Sequence, residues 1–315
     1  MSAQEGTEPI TLGSTEIRIS PMGIGTWAWG DRFYWGYGRS YTEADIQAAF
    51  QASLDAGITV FDSAEVYGFG QSERLLGQFV QAADQPVVVA SKFMPFPWRL
   101  RRGSLLRALR GSLRRLGMER MDLYQIHWPF PPIAIERWME GLAQAVEEGL
   151  IGAVGVSNYN LDQTRRAHAA LAKRGVPLAS NQVEYSLLKR DPEHTGLLEA
   201  CHELGITLIA YSPLAQGLLT GKYTPDSPPP GLRRRRTGKK RLVQIEPLIA
   251  LLREIGGAHG DKTPSQVALN WIICKGALPI PGAKNGRQAQ DNAGALGWRL
   301  TDEQVASLDA ASEEI

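Results

Sequence analysis

Cysteine is scarce here: two residues in 315, Cys201 and Cys274. Two thiols cannot make a disulfide framework, and each falls in a helix-like segment, so both are expected as buried, reduced thiols in a cytoplasmic protein. An excess of charge of one sign is also lacking. Lys and Arg number 34 against 33 Asp and Glu, a net charge of +1. That balance gives no global reason to expect nucleic acid or an anionic membrane as partner. No apolar run is long enough to span a bilayer, and the start, "MSAQEGTEPI", lacks the basic-then-apolar pattern of a signal peptide. There is no H-E-x-x-H or paired Cys-x-x-Cys for zinc and no G-x-S-x-G elbow for a hydrolase. No Pro/Gly/Ser linker separates two halves, so residues 1–315 read as a single domain.

What is present is one unit repeated. After a short hairpin, "ITL" and "EIRIS" around the turn "GST", short apolar runs alternate with longer amphipathic ones. The apolar runs are "GIG", "TVFD", "VVVASK", "DLYQIHW", "IGAVGVSN", "SNQVE", "TLIAYSP" and "LPIPG". Helical patterns lie between them, among them Thr42–Asp55, Ser72–Val80, Gly103–Gly117, Ile133–Glu148 and Leu161–Arg174. Gly57, Gly117, Gly149, Gly175, Gly205 and Gly276 each stand just past a helix, where a left-handed residue ends the last turn. Such alternation means a parallel sheet with helices outside it. Eight strands fit a closed α/β (β/α)8 TIM barrel, with the N-terminal β-hairpin plugging its bottom; an open doubly wound sheet has the same local pattern. The stretch "TPDSPPPGLRRRRTGKKR", Thr224–Arg241, reads as a mobile excursion after the seventh strand.

In a barrel of this kind the chemistry sits at the carboxyl ends of the strands. Those ends carry Asp62, Lys92 and His127, with Tyr67 following Asp62 in the same loop. Singly, each has an ordinary explanation: a turn aspartate, an ion-paired lysine, a core histidine, a surface tyrosine. Together on one rim they form a relay. A tyrosine, with a pKa near ~10, is a poor acid at neutral pH. A neighbouring ammonium lowers that value, and a carboxylate behind the ammonium keeps it charged and in place. His127 is then placed to donate a hydrogen bond to a carbonyl oxygen that Tyr67 protonates. The set suits reduction of a small-molecule carbonyl substrate by hydride.

The segments "FDSAEVYG", "VVVASK", "DLYQIHWP", "IGAVGVSN", "NQVEYSLL", "AYSPLAQGLLTGKY" and "IPGAKNGRQAQDNAGALGW" resemble those of the aldo-keto reductases, in the family's order, from about Ile10 to Trp298. The wording "GIGTWAWGDRFYWGYG" and the "PPPG" loop look like the plant and cyanobacterial branch with pyridoxal reductase-like and potassium-channel β-subunit-like members. The resemblance implies a (β/α)8 barrel that binds NADPH/NADP+ without a Rossmann motif. It implies Tyr67 as general acid, Lys92 and Asp62 as the groups that tune it, and His127 as the group that orients the carbonyl. It also leaves a second function open, a nicotinamide-binding redox sensor with little turnover.

Ser157 and Asn158 end the fifth strand and Gln182 ends the sixth, and the same resemblance places them on the nicotinamide carboxamide. Ser157 and Asn158 alone would serve equally as caps of the next helix. Tyr211, ending the seventh strand, offers a face to the nicotinamide ring or packs in the core. "SPLAQGLL" supplies small residues that let backbone amides approach a pyrophosphate, with Ser212, Pro213, Leu214, Gln216, Gly217 and Leu218 as the candidates. Gly282 opens the last site, whose helix start offers free N–H groups and a positive dipole end. Lys284 and Arg287 add cations that favour the extra phosphate of NADP. Gln288, Asp291 and Asn292 match the positions that hold the adenosine half. Arg233–Arg236 lie in a loop able to fold over the pyrophosphate.

Substrate choice falls to the loops "WAWGDRFYWGYG", "MPFPWRLRRG", "PFPP" and Thr224–Arg241. Trp27, also a cofactor-site candidate, joins Trp29, Trp35, Phe93, Trp98 and Trp128 as candidates for an aromatic wall. Two short motifs point elsewhere. "GIGTWA" matches G-x-G-x-x-A, and "YSLLK", Tyr185–Lys189, matches Tyr-x-x-x-Lys. The first lacks the helix that should follow and the acid ~20 residues on. The second lies between a strand and a helix start instead of on one helix.

Overall fold

The computed structural model describes residues 8–99, 102–229 and 237–315. Ile10–Thr11 (β1) and Arg18–Ile19 (β2) form the antiparallel hairpin. Eight strands follow: Gly23–Gly25 (β3), Val60–Asp62 (β4), Val88–Phe93 (β5), Met121–Ile126 (β6), Ile151–Ser157 (β7), Leu178–Glu184 (β8), Thr207–Tyr211 (β9) and Leu278–Pro279 (β10). Each is parallel to its sequence neighbour. The two outer strands then meet. Gly25 bridges Gly282, and the Gly25 N–H donates to the Pro281 carbonyl at 3.0 Å. A side chain at Gly25 would crowd this seam, since a Cβ there would lie 3.0 Å from the Ile280 carbonyl oxygen. The sheet is therefore a (β/α)8 barrel with an N-terminal hairpin, and the open-sheet alternative falls.

The helices between strands follow the apolar periodicity. Glu43–Asp55 (α1), Gln71–Ala82 (α2), Arg102–Leu116 (α3), Ile135–Glu147 (α4) and Leu161–Ala172 (α5) lie where the pattern places them. After β8 come the short helices Asp191–His194 (α6) and Leu197–Glu203 (α7). Lys239–Ala258 (α8) and Pro264–Cys274 (α9) precede β10, and Gly286–Ala293 (α10) and Asp302–Glu313 (α11) follow it. All six capping glycines have left-handed φ, from 63° to 79°. The expected excursion is shorter than the sequence suggested. Lys239, Lys240 and Arg241 belong to the first turn of α8, while Arg233–Arg236 lie outside the described residues.

The barrel interior changes character along its axis. Leu12 and Ile19 of the hairpin pack against Val60, Ala90, Leu123, Ala153, Ala179, Ile209 and Leu278, which closes the amino-terminal end with apolar side chains. The Gly13 N–H donates to Thr207 Oγ1 at 2.8 Å, fastening the plug to β9. Two residues on, the same inner face turns polar, since side chains on a strand share a face with period two. Val60 gives way to Asp62, Ala90 to Lys92, and Leu123 to Gln125, and all three polar residues are buried.

Gly155 of β7 leaves the space this polar layer fills. A Cβ there would lie 2.3 Å from Ser180 Oγ and 2.7 Å from Gln125 Cγ. Gly155→Val is expected to destabilise the fold by about 1–3 kcal/mol through overpacking. Urea denaturation checks this, and a midpoint equal to that of the unmodified protein would refute it.

Candidate functional site

Lys92, fully buried on β5, anchors the site. Its Nζ pairs with Asp62 Oδ2, donates to the Ser63 carbonyl at 2.7 Å, and reaches the Tyr67 hydroxyl at 3.4 Å. The other Asp62 oxygen accepts from Gln125 Nε2 at 3.1 Å and from Gln182 Nε2 at 2.9 Å. Burial opposes the Lys92 charge, but Asp62 and Tyr67 outweigh it and hold the ammonium above the usual lysine value. Gln125 had no place in the sequence reading. Its signal was a polar residue at an inner-face position of a buried strand, in "DLYQIHW".

Tyr67 follows β4 at the head of a tight turn whose Gly68, Phe69 and Gly70 are left-handed. Its ring sits edge-on to His127, 5.8 Å between centroids. Burial pushes the Tyr67 hydroxyl above the ordinary tyrosine value; the Lys92 ammonium pulls it down, and Asp62 pushes it up again. The sequence reading had the ammonium winning, and desolvation wins instead. At neutral pH the phenol keeps its proton, and the ammonium acts by stabilising the phenolate left when that proton departs.

His127 stands one residue beyond β6. Burial, then the Lys92 ammonium, push it down to about 3, so the imidazole is neutral at pH 7. Its buried Nδ1 has no partner among the described residues. A neutral imidazole is a hydrogen-bonding group here and no source of charge.

A cavity of about 780 Å³ opens over these groups. Asp62, Tyr67 and His127 line it, as do Lys284, Arg287, Gln288, Asp291 and Asn292. Trp27, Ser157, Asn158, Gln182, Tyr211, Ser212, Pro213, Leu214, Gln216, Gly217 and Gly282 lie along its walls. Lys92 is beneath the floor. Of the residues expected around a cofactor, Leu218 is not in the lining. Gln182 lies inside β8, which runs on to Glu184, and does not end that strand.

The helix-cap explanation for Ser157 and Asn158 is displaced. Asn160 caps α5, accepting from the Gln163 N–H. Asn158, with φ of 61°, donates to the His127 carbonyl at 3.1 Å and accepts from the Tyr211 hydroxyl at 3.0 Å. Beyond β9, Ser212, Ala215 and Gln216 are left-handed non-glycine residues beside Gly217. Backbone strain of this kind persists where the surroundings over-determine it, commonly at ligand sites. Tyr34 donates to Gln216 Oε1 at 2.7 Å, and Lys284 Nζ lies 4.5 Å from the Trp35 ring centroid, so the aromatic loop spans the cavity.

Of the expected aromatic wall, Trp27, Trp35 and Trp128 line the cavity. Trp29 and Phe93 are core residues, and Trp98 is 75% exposed, stacked on Phe96. Lys222, Tyr223 and Thr263 also line the cavity and were missed. Both decoys fail. Tyr185 is buried with its hydroxyl on Glu193, Lys189 pairs with Asp191, and "GIGTWA" is β3 and a turn. Among the described residues no His/Cys/Asp/Glu cluster suits a metal, and no helix is long and apolar enough to cross a membrane.

Residues 21–313 match the aldo/keto reductase family. Over 311 residues the chain is 45% identical to a protein of Arabidopsis thaliana named pyridoxal reductase, chloroplastic, covering 95% of this chain and 84% of that relative. Its fold is similar to that of the glycerol dehydrogenase from Gluconobacter oxydans (TM-score 0.84, 27% identity, 97% and 95% of the two chains covered). It is also similar to an aldo-keto reductase from Klebsiella pneumoniae in complex with NADPH (TM-score 0.76, 29% identity, 96% and 94% covered). With the family matched across the barrel, and a buried Lys–Asp–Tyr cluster at the strand ends, the chain belongs to the aldo/keto reductase family.

Proposed function

We propose that the chain is an NADPH-dependent oxidoreductase that reduces an aldehyde or ketone to an alcohol, with Tyr67 as general acid. The observation that carries this is one ammonium, Lys92, bonded at once to Asp62 and to the Tyr67 hydroxyl beneath a cavity that His127 also lines. The cavity suits a dinucleotide: its lining combines amides and hydroxyls with Lys284 and Arg287 beside the start of α10. Bound NADPH supplies the hydride. Ser157, Asn158, Gln182 and Tyr211 would hold its reactive end, Ser212–Gly217 its pyrophosphate, and Lys284 and Arg287 its extra phosphate. Tyr67 gives its proton to the carbonyl oxygen, and Lys92 stabilises the phenolate that results. Neutral His127 donates a hydrogen bond to the same oxygen without competing as an acid. The name of the plant relative makes pyridoxal the first carbonyl to assay. Two free cysteines support a reducing, cytoplasmic setting, and the continuous barrel supports one domain over 1–315. Tight NADP retention without turnover of any carbonyl would favour the sensor role instead.

Tyr67→Phe is expected to lower kcat for carbonyl reduction by about 100- to 10,000-fold, because the lost proton donor acts in the transition state. The Kd for NADPH, measured by fluorescence, should hardly change. A variant that keeps most of its rate would move the proton donor elsewhere.

The depressed His127 pKa has a signed consequence. As pH falls below about 6.5 the unfolded chain takes up a proton that the folded chain refuses until about 3. His127 thus subtracts stability on the acid side. It should contribute no ionisation to kcat/KM for reduction between about pH 5 and 8. An acid limb near pH 6.5 that vanishes in His127→Gln would contradict this.

Replacing Lys284 and Arg287 together by Met should weaken NADPH about 10- to 100-fold, the loss expected for charged hydrogen bonds of this kind. NADH should be nearly unaffected. Titrations of both cofactors decide, and equal losses for the two would argue against a phosphate contact at these residues.

A further inference from the structure

The loop that carries Tyr67 is anchored firmly at its start and loosely afterwards. The Ser63 N–H donates to the Ala90 carbonyl at 2.8 Å, and its own carbonyl accepts from Lys92. The Glu65 N–H makes a long contact to the Lys92 carbonyl at 3.4 Å, and the Tyr67 N–H returns only to Ala64, within the loop, at 3.0 Å. Past Tyr67 the chain is left-handed through Gly70, and Phe69 is 85% exposed. Between Ser63 and Tyr67 one side chain reaches out of the loop. The Glu65 carboxylate, with its side chain 7% exposed, accepts the Met94 N–H at 2.8 Å and the Arg99 guanidinium. Arg99 donates back to the Met94 carbonyl at 3.3 Å and lies 5.5 Å from the centroids of both Phe93 and Phe96.

We infer that Glu65 and Arg99 are positioning residues: their ion pair ties the loop after β5 to the loop of Tyr67 and so sets the Tyr67 hydroxyl against Lys92. The inference rests on the reading of Tyr67 as proton donor. Its physical basis is the 3.4 Å separation of Lys92 Nζ from that hydroxyl, already at the long limit of a hydrogen bond. A loop shift of a fraction of an ångström breaks such a contact. The same pair fixes the bend at residues 94–99, which follows β5 and its Lys92, so a change in either loop is felt by the other.

The test uses the full chain with NADPH and pyridoxal as the carbonyl probe. Glu65→Gln keeps an oxygen for the Met94 N–H but removes the charge from the pair, and Arg99→Met removes the other partner. Each should lower kcat about 10- to 100-fold, the cost of slight misplacement of a reacting group, with KM and the NADPH Kd almost unchanged. The double variant should be no worse than the poorer single one, since both break one link. Arg99→Lys should recover much of the rate. A readout independent of turnover comes from fluorotyrosine at position 67, followed by fluorine NMR against pH. Its ionisation should move upward in Glu65→Gln as the hydroxyl leaves the ammonium. If that ionisation and kcat both stay put while Tm falls, the pair is only structural and the inference is wrong. Should Tyr67→Phe remain active, or no carbonyl be reduced, the functional reading fails at that point. The fluorotyrosine titration still decides whether Glu65 and Arg99 position the hydroxyl.

Discussion

An ammonium held out of water at the carboxyl end of the barrel is the constraint on which the rest of the structure depends. A buried charge costs several kcal/mol even after relaxation and is tolerated only with good partners. Lys92 has them: the Asp62 carboxylate, the Ser63 carbonyl and the Tyr67 hydroxyl. Asp62 in turn needs its second oxygen satisfied, and Gln125 and Gln182 do that from two other strands. One charge therefore fixes side chains on β4, β5, β6 and β8. It also reaches His127, whose neutrality follows from burial and from the same ammonium.

Such a layer is possible because the other end of the barrel interior is packed with apolar side chains. The hairpin residues Leu12 and Ile19 close the opposite end, and a void of about 10 Å³ is all that remains between them and Asp62. Within the layer, space is shared closely: Gly155 has no side chain, and Ser180 and Gln125 occupy the room. The inner face changes from apolar to polar within one strand repeat. The candidate site is confined to one end of the fold without disturbing the core at the other.

Above the layer the cavity is shaped by loops, and these hold one another. Tyr34 bonds Gln216 across it, Lys284 rests on the rings of Trp35 and Tyr41, and Asn158 joins the His127 carbonyl to the Tyr211 hydroxyl. The left-handed run through Ser212, Ala215, Gln216 and Gly217 bends the backbone around this space. These contacts join segments far apart in sequence, which makes the cavity a property of the closed barrel and of no single loop.

The repeat of strands and helices, their glycine caps and the polar strand ends were legible in the sequence, because local periodicity and left-handed caps are set by each segment's own residues. Asp62, Lys92 and His127 stood out for the same reason: a charged or imidazole group at the end of an apolar run is locally anomalous. Tertiary structure decided what depends on neighbours from elsewhere. Closure required Gly25 to meet Gly282, two ends of the sheet that no local pattern relates. Trp27 faces the cavity while Trp29, two residues on, is core, a distinction that loop geometry makes and composition does not. Gln125 became part of the site only once β6 and β4 were seen to share the barrel interior. The Tyr67 hydroxyl lies above its ordinary pKa where the sequence pointed below it, because a lysine nearby is visible in the chain, whereas desolvation is summed over every atom that folding brings around the ring.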